Sequence, residues 1–267
     1  MTTPPKYAQQ AEVIEQAQPE EAQPAEPTAR DAANWAHSIS TLSVGEVPEE
    51  AINRNVEGKR VLGPMQGFGK MWQKTFQVRI PAERASSTEL IATWKARFPD
   101  FWPDDQRFYG PLTGIAPGEV AVINMSVPGG VKLSTGVMVL YADDESFTLM
   151  TPEGHMFAGW ITFSAAPDDD AIVAQAQLLI RANDPLYEVG LTLGGHRQEN
   201  AFWEHTLRAL AAHYGEEAEV DTRVVCVDRR RQWGKAANIR HNAAIRSSGY
   251  MMTAPLRRLR RGATGGS

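Results

Sequence analysis

PLYEVGLTLGGHRQENAFWEHTLRALAAHYG, residues 185–215, is the stretch that decides the fold. Pro185 has the fixed φ and missing N–H that suit a first helical position. Gly194-Gly195 interrupts or kinks the helix that follows, because two residues without Cβ give the chain too much freedom to stay helical. From His196 the helix resumes to Tyr214, and Gly215 terminates it. His196, Asn200, Trp203, Leu207, Leu210 and Tyr214 recur at steps of three and four, so they share one face. A helix with one such stripe must cover an apolar surface elsewhere in the chain.

That surface is legible upstream. In 75–80, Phe76, Val78 and Ile80 alternate with Gln77 and Arg79, the pattern of a half-buried strand. Residues 88–98 place Leu90, Ile91, Trp94 and Phe98 at helical spacing, with Ser86 or Ser87 as N-cap and Pro99 as a stop. Residues 101–117 are irregular. Five strand signals follow, at 119–127, 134–141, 146–151, 158–165 and 171–181. Each ends in turn chemistry such as Pro128-Gly129-Gly130 or Pro167-Asp168-Asp169-Asp170. Connections this short join antiparallel neighbours. The expected fold class is α+β, a curved antiparallel β-sheet wrapped around a long C-terminal α-helix. The concave space between sheet and helix is where a small ligand would sit.

The two ends differ from this middle. Residues 1–28 are mostly Pro, Gln, Glu and Ala and bury too little apolar area to offset their ordering entropy. The expected organisation is an acidic, largely disordered arm over 1–57, the ligand-binding domain over 58–219, and a basic extension over 220–267. The extension carries Arg229, Arg230, Arg231, Arg257, Arg258, Arg260 and Arg261, candidates for contact with anionic lipid or nucleic acid. Val224, Val225 and Val227 within it suit a short added strand. The formal net charge of −5 conceals this asymmetry. No apolar run reaches the roughly 20 residues that cross a bilayer. A single cysteine, Cys226, and the lack of a secretory pattern suit a cytoplasmic setting, with peripheral membrane contact by the tail as a further expectation.

Two phrases carry a resemblance. Residues 151–163 read TPEGHMFAGWITF, and Gly154, His155, Gly159 and Phe163 match the G-H-P-E-x-G-E-x-x-F stretch of a bacterial and plant family of unknown function. Met156, Phe157 and Trp160 depart from it. Residues 63–72, GPMQGFGKMW, are similar to that family's glycine-rich entry to its first long strand. The family belongs to the helix-grip (SRPBCC) superfamily of START lipid carriers, birch-pollen-allergen-like proteins and polyketide cyclases. The resemblance covers about residues 65–214 and implies a helix grip.

Within such a cleft, aromatic rings and soft methionines suit an apolar ligand, and a histidine can fix its polar end. The candidate ligand-binding residues are Trp72, Tyr109, Met125, Met150, His155, Phe157, Trp160, His196 and Trp203. The expected ligand is an apolar or amphipathic small molecule, held without a cofactor. Cyclase- or isomerase-type turnover in the same cavity, with His155 or His196 as acid/base, is the alternative, and an interaction module acting through the tail is another. No catalytic group is assigned. Residues 63–70 are not a phosphate loop, since Pro64 stands at the first glycine position and Met71 replaces the Ser or Thr that would hold Mg²⁺.

Overall fold

The computed structural model describes residues 32–45, 55–111, 114–127 and 131–252. From residue 33 onward these fall in one compact unit. Eight antiparallel strands form one sheet in the order β2-β3-β4-β5-β6-β7-β1-β8. They are β1 (Met71–Pro81), β2 (Arg107–Tyr109), β3 (Val120–Val127), β4 (Val131–Ala142), β5 (Ser146–Met150), β6 (Phe157–Asp168), β7 (Ala171–Ala182) and β8 (Asp221–Asp228). Strands β2 to β7 follow one another as the short turns require, and β1 closes on β7 from Met71↔Arg181 to Pro81↔Ala171.

Side-chain alternation gives the sheet two faces. Phe76, Val78 and Ile80 of β1, Phe147 and Leu149 of β5, Ile161 and Phe163 of β6, and Ala174, Ala176 and Leu178 of β7 turn to the concave face and form the main core. Three helical elements lie on that face. Helix α1 (Ser87–Ala96) begins with a capping box. Ser86 Oγ accepts from the Glu89 N–H, and Glu89 Oε2 accepts from the Ser86 N–H. Its Trp94 is fully buried edge-on to Phe147 and Phe163. Helix α2 (Pro185–Gly190) is capped by Asp184, whose Oδ1 accepts from the Leu186 and Tyr187 amides at 2.8 and 3.0 Å. A π-turn over Leu191–Gly195, with Gly194 at φ 127°, joins it to the long helix α3 (His196–His213). That φ is open to glycine and strained for other residues. Leu207, Leu210 and Ala211 of α3 are buried against the sheet, and Trp203 and Tyr214 pack beside them. The arrangement is a helix grip.

A layer on the convex face goes beyond it. Residues 33–45 and 55–62 lie there, with Leu42 and Val56 buried against Val120, Val122 and Met138. Trp35 meets Tyr141 edge-on at 4.8 Å. This part of the arm therefore packs on the sheet. Beyond residue 219, β8 pairs with β1, from Met71↔Asp228 to Gln77↔Asp221, so the first stretch of the basic extension is an edge strand of the sheet. After it, a 3₁₀ turn (Trp233–His241) and helix α4 (Ala243–Met252) cross to the convex side. There Asn242 Nδ2 donates to Asp184 Oδ2 at 2.8 Å, and the Ala243 N–H donates to the Gly154 carbonyl at 3.0 Å. Among the described residues no helix is long and apolar enough to cross a membrane.

Candidate functional site

Strand β1 keeps one phase over its length: Trp72, Lys74, Phe76, Val78 and Ile80 all turn to the concave face. Lys74 is the anomaly, a fully buried cation in an apolar row. Its Nζ donates to Glu199 Oε2 at 2.7 Å and to Asn200 Oδ1 at 2.8 Å, both on the first turns of α3. The Lys74 and Glu199 side chains are 0% and 7% exposed, so the pair lies out of water. A pair in such surroundings gains little net stability over an apolar substitute, because desolvation offsets much of the attraction. Its presence is a reason to look for function here.

Two polar atoms of the cluster remain open. Glu199 Oε1 is buried with no hydrogen-bond partner among the described residues, and so is His196 Nδ1. The latter stands 3.8 Å from Glu199 Oε2. Trp72 closes one side, edge-on to His196 at 4.9 Å. The register Trp72↔Ile180 and Gly159↔Ile180 sets a glycine in the same row of the concave face. Gly159 has φ 151°, and a Cβ there would lie 2.1 Å from the Leu179 carbonyl oxygen. The row is thus bare of a side chain two strands from Trp72. Trp72, His196, Asn200 and Trp203 are all partly exposed, so the cluster lies near the open end of the grip.

The strand phases sort the candidate residues. Trp72, His196 and Trp203 converge on α3 and the concave face, with Trp203 5.6 Å from Phe163. Phe157 is buried on the same face, and Met125 packs on that face at β3, at the other side of the sheet order from β1. Tyr109, Met150 and Trp160 belong to the convex face. Tyr109 packs beside Val122 and Met138, while Met150 and Trp160 are opposite one another next to Gly63.

His155 is 7% exposed, in the turn before β6. Its Nδ1 accepts from the Phe157 N–H at 2.9 Å, and its carbonyl accepts from Asn183 Nδ2 at 2.9 Å. Burial pushes its pKa down to about 4, against the opposing effect of the Phe157 backbone. That is a neutral histidine bonded into its own turn.

Lys74 carries no motif, yet a signal for it exists: a lysine in phase with Trp72, Phe76, Val78 and Ile80 is a charge on a face that must be buried. Its partner had to lie opposite, and Asn200 is on the helix stripe with Glu199 next to it in sequence. Among the described residues no three His, Cys, Asp or Glu side chains come together as metal ligands.

Of the basic tail, Arg231 donates to Glu188 at 2.9 Å and Arg230 to Asp228 at 3.2 Å, while Arg229 is exposed. Asp228 also accepts from Arg181 Nη2 at 2.6 Å. The Arg230 backbone N–H and the Arg181 guanidinium hold its carboxyl down at about 2. Arg257, Arg258, Arg260 and Arg261 lie outside the described residues.

No known family profile matches this chain, and no curated protein matches it. Solved structures do. One is protein Ms6760 from Mycobacterium smegmatis, at 12% identity and TM-score 0.40, covering 54% of this chain and 90% of that one. The di-domain ARO/CYC StfQ from the steffimycin biosynthetic pathway matches at 11% and TM-score 0.43, covering 55% of this chain and 51% of its own. The ginseng major latex-like protein 151 from Panax ginseng matches at 14% and TM-score 0.36, covering 55% and 99%. These are likenesses of backbone course over about half of this chain and say nothing of a ligand or a reaction in it.

Proposed function

We propose that this protein binds an amphipathic small molecule on the concave side of the sheet, at the open end of α3. The apolar body lies against Trp72 and Trp203 beside the bare row at Gly159. The polar end is a hydrogen-bond donor, such as a hydroxyl, directed at Glu199 Oε1. The observation that supports this reading is the buried Lys74–Glu199 pair with an acceptor oxygen left open between sheet and helix. Lys74 and Asn200 use the other side of the cluster, so the carboxylate is held in place for a second donor. Burial of the apolar body supplies the driving force at about 25 cal/mol per Å², and the hydrogen bond fixes orientation.

Titration calorimetry of the full chain with a long-chain primary alcohol tests this. Saturable binding that weakens about tenfold in Glu199→Gln is the expected result, since a charged acceptor contributes more than a neutral one. An isotherm indistinguishable between the two proteins would remove Glu199 from the site. The adjacency of His196 and Glu199 favours one second reading, turnover of a cyclase or isomerase type with His196 as acid/base. His196→Ala separates the two. Unchanged affinity with lost turnover identifies an enzyme, and lost affinity identifies a binding contact.

A further inference from the structure

The convex face carries a recess of its own. A recess of about 420 Å³ is lined by Arg60, Leu62, Gly63, Met150, Glu153 and Lys235, with Val61 and the amides of Gln66 and Asn238 completing the wall. That volume is within the roughly 300–1,000 Å³ of small-molecule sites. Three segments distant in sequence build it: residues 60–66, the end of β5 with the turn after it, and the Trp233–His241 turn. Hydrogen bonds to backbone carbonyls lock them together. The Leu62 N–H donates to the Thr151 carbonyl at 2.9 Å, the Glu153 N–H to the Arg60 carbonyl at 2.8 Å, and Asn238 Nδ2 to the Gln66 carbonyl at 2.9 Å.

Among the described residues its charges do not balance. Glu153 accepts from Arg60 Nη2 at 3.0 Å while Lys59 Nζ lies at 3.9 Å and His241 Nδ1 at 3.4 Å. One carboxylate therefore faces three basic groups. Lys235 adds an ammonium to the wall with no ion-pair partner among the described residues. Lys59 is only 12% exposed, and burial followed by the nearby Arg246 charge lowers its pKa, with Glu153 opposing them. A group that adds negative charge here relieves that repulsion. The opposite wall is mixed. Leu62 is buried, and a Cβ built on Gly63 would lie 3.1 Å from Gln66 Oε1 and 3.7 Å from Met150 Cε and from Trp160 Cζ3, so one amide sits beside an apolar patch.

We propose that this convex recess is a second binding site, for a small amphipathic anion in which a carboxylate or phosphate is joined to an apolar body. The anionic group lies by Arg60 and Lys235, and the apolar body lies on Met150 and Leu62. The site is separate from the concave one in position and in chemistry: there the open group is an acceptor, and here the excess is of donors.

Calorimetry of the full chain with octyl phosphate as probe tests the proposal. Saturable binding is expected, with Arg60→Met and Lys235→Met each weakening it about tenfold. Lys235→Arg retains it. Glu199→Gln leaves it unchanged, which keeps this test independent of the concave site. Melting curves of the variants check folding. Non-saturable octyl phosphate binding overturns the proposal, and so does binding that neither substitution alters. Flotation with phosphatidylcholine vesicles containing phosphatidic acid separates the sources of the anion. Lys235-dependent flotation identifies a lipid headgroup, and octyl phosphate binding without flotation identifies a soluble ligand.

Discussion

Lys74 shows how one residue joins the fold to a site. Removing the cation alone leaves Glu199 as an unpaired charge out of water, so Lys74→Met should lower unfolding free energy by about 3–5 kcal/mol. Replacing both members, Lys74→Met with Glu199→Met, should recover most of that loss, because the desolvation penalty disappears with the charges. Urea unfolding of the two single variants and the double variant measures this, and additive losses would show that the pair is not coupled. His155 makes a separate, pH-dependent prediction. Its folded pKa of about 4 is below the ordinary value of 6.5. The unfolded chain therefore binds more protons between those values, and stability is full above about pH 6.5 and falls as pH drops toward 4. The linked loss is on the order of 3 kcal/mol. His155→Asn, whose Oδ1 can accept the Phe157 amide, should flatten this part of the urea-midpoint profile between pH 7 and 4.5. At this scale the sequence was partly legible. His196 and Trp203 could be placed by periodicity, since both sit on the stripe of α3, whereas Trp72 precedes the stretch 75–80 in which the alternation of β1 was clear. Met150 shares its face of β5 with Ser146 and Thr148, and Trp160 its face of β6 with Thr162 and Ser164, a period-two signal for the convex side, while β2 with three residues is too short to show a phase for Tyr109.

Among the elements, strands and helices followed from turn chemistry and spacing. Ser86 begins α1, and the break at Gly194-Gly195 separates α2 from α3 as the glycine pair requires. The edge strand β8 was legible in Val224, Val225 and Val227, though its pairing with β1 is a long-range fact that no local pattern contains. Strand β1 begins at Met71, four residues before the alternation became clear at Thr75, because the buried Lys74 breaks the apolar series. Two substitutions probe elements. Gly159→Ala forces a Cβ against the Leu179 carbonyl at a φ of 151°, and should cost at least about 2 kcal/mol through the β6–β7 pairing. Trp94→Ala removes the ring that fixes α1 on Phe147 and Phe163, and should cost about 3–5 kcal/mol. Thermal or denaturant unfolding measures both, and a cost under about 1 kcal/mol would contradict the packing described.

For the molecule as a whole, the convex layer is the feature composition concealed. The acidic arm reads as largely disordered, because few of its residues are apolar, and the basic extension reads as a charged tail with a short strand in it. Leu42 and Val56 were enough to anchor one, and the pairing of β8 with β1 anchors the other. Arg181 is 1% exposed and donates to the Gly69 and Arg230 carbonyls and to Asp228. Ending the chain at residue 219 removes two of those three acceptors and exposes the β1 edge. Such a truncation should lower Tm by about 10 °C or more by differential scanning calorimetry. A melting point equal to that of the full chain would mean that the layer is dispensable. The central claim concerns the concave site and is tested most directly by the indole N–H signals of the full chain in ¹⁵N-resolved NMR during titration with a long-chain primary alcohol. The prediction is that the Trp72 and Trp203 signals shift together and saturate while those of Trp35 and Trp233 stay in place. Saturation with Trp72 and Trp203 unmoved would contradict it.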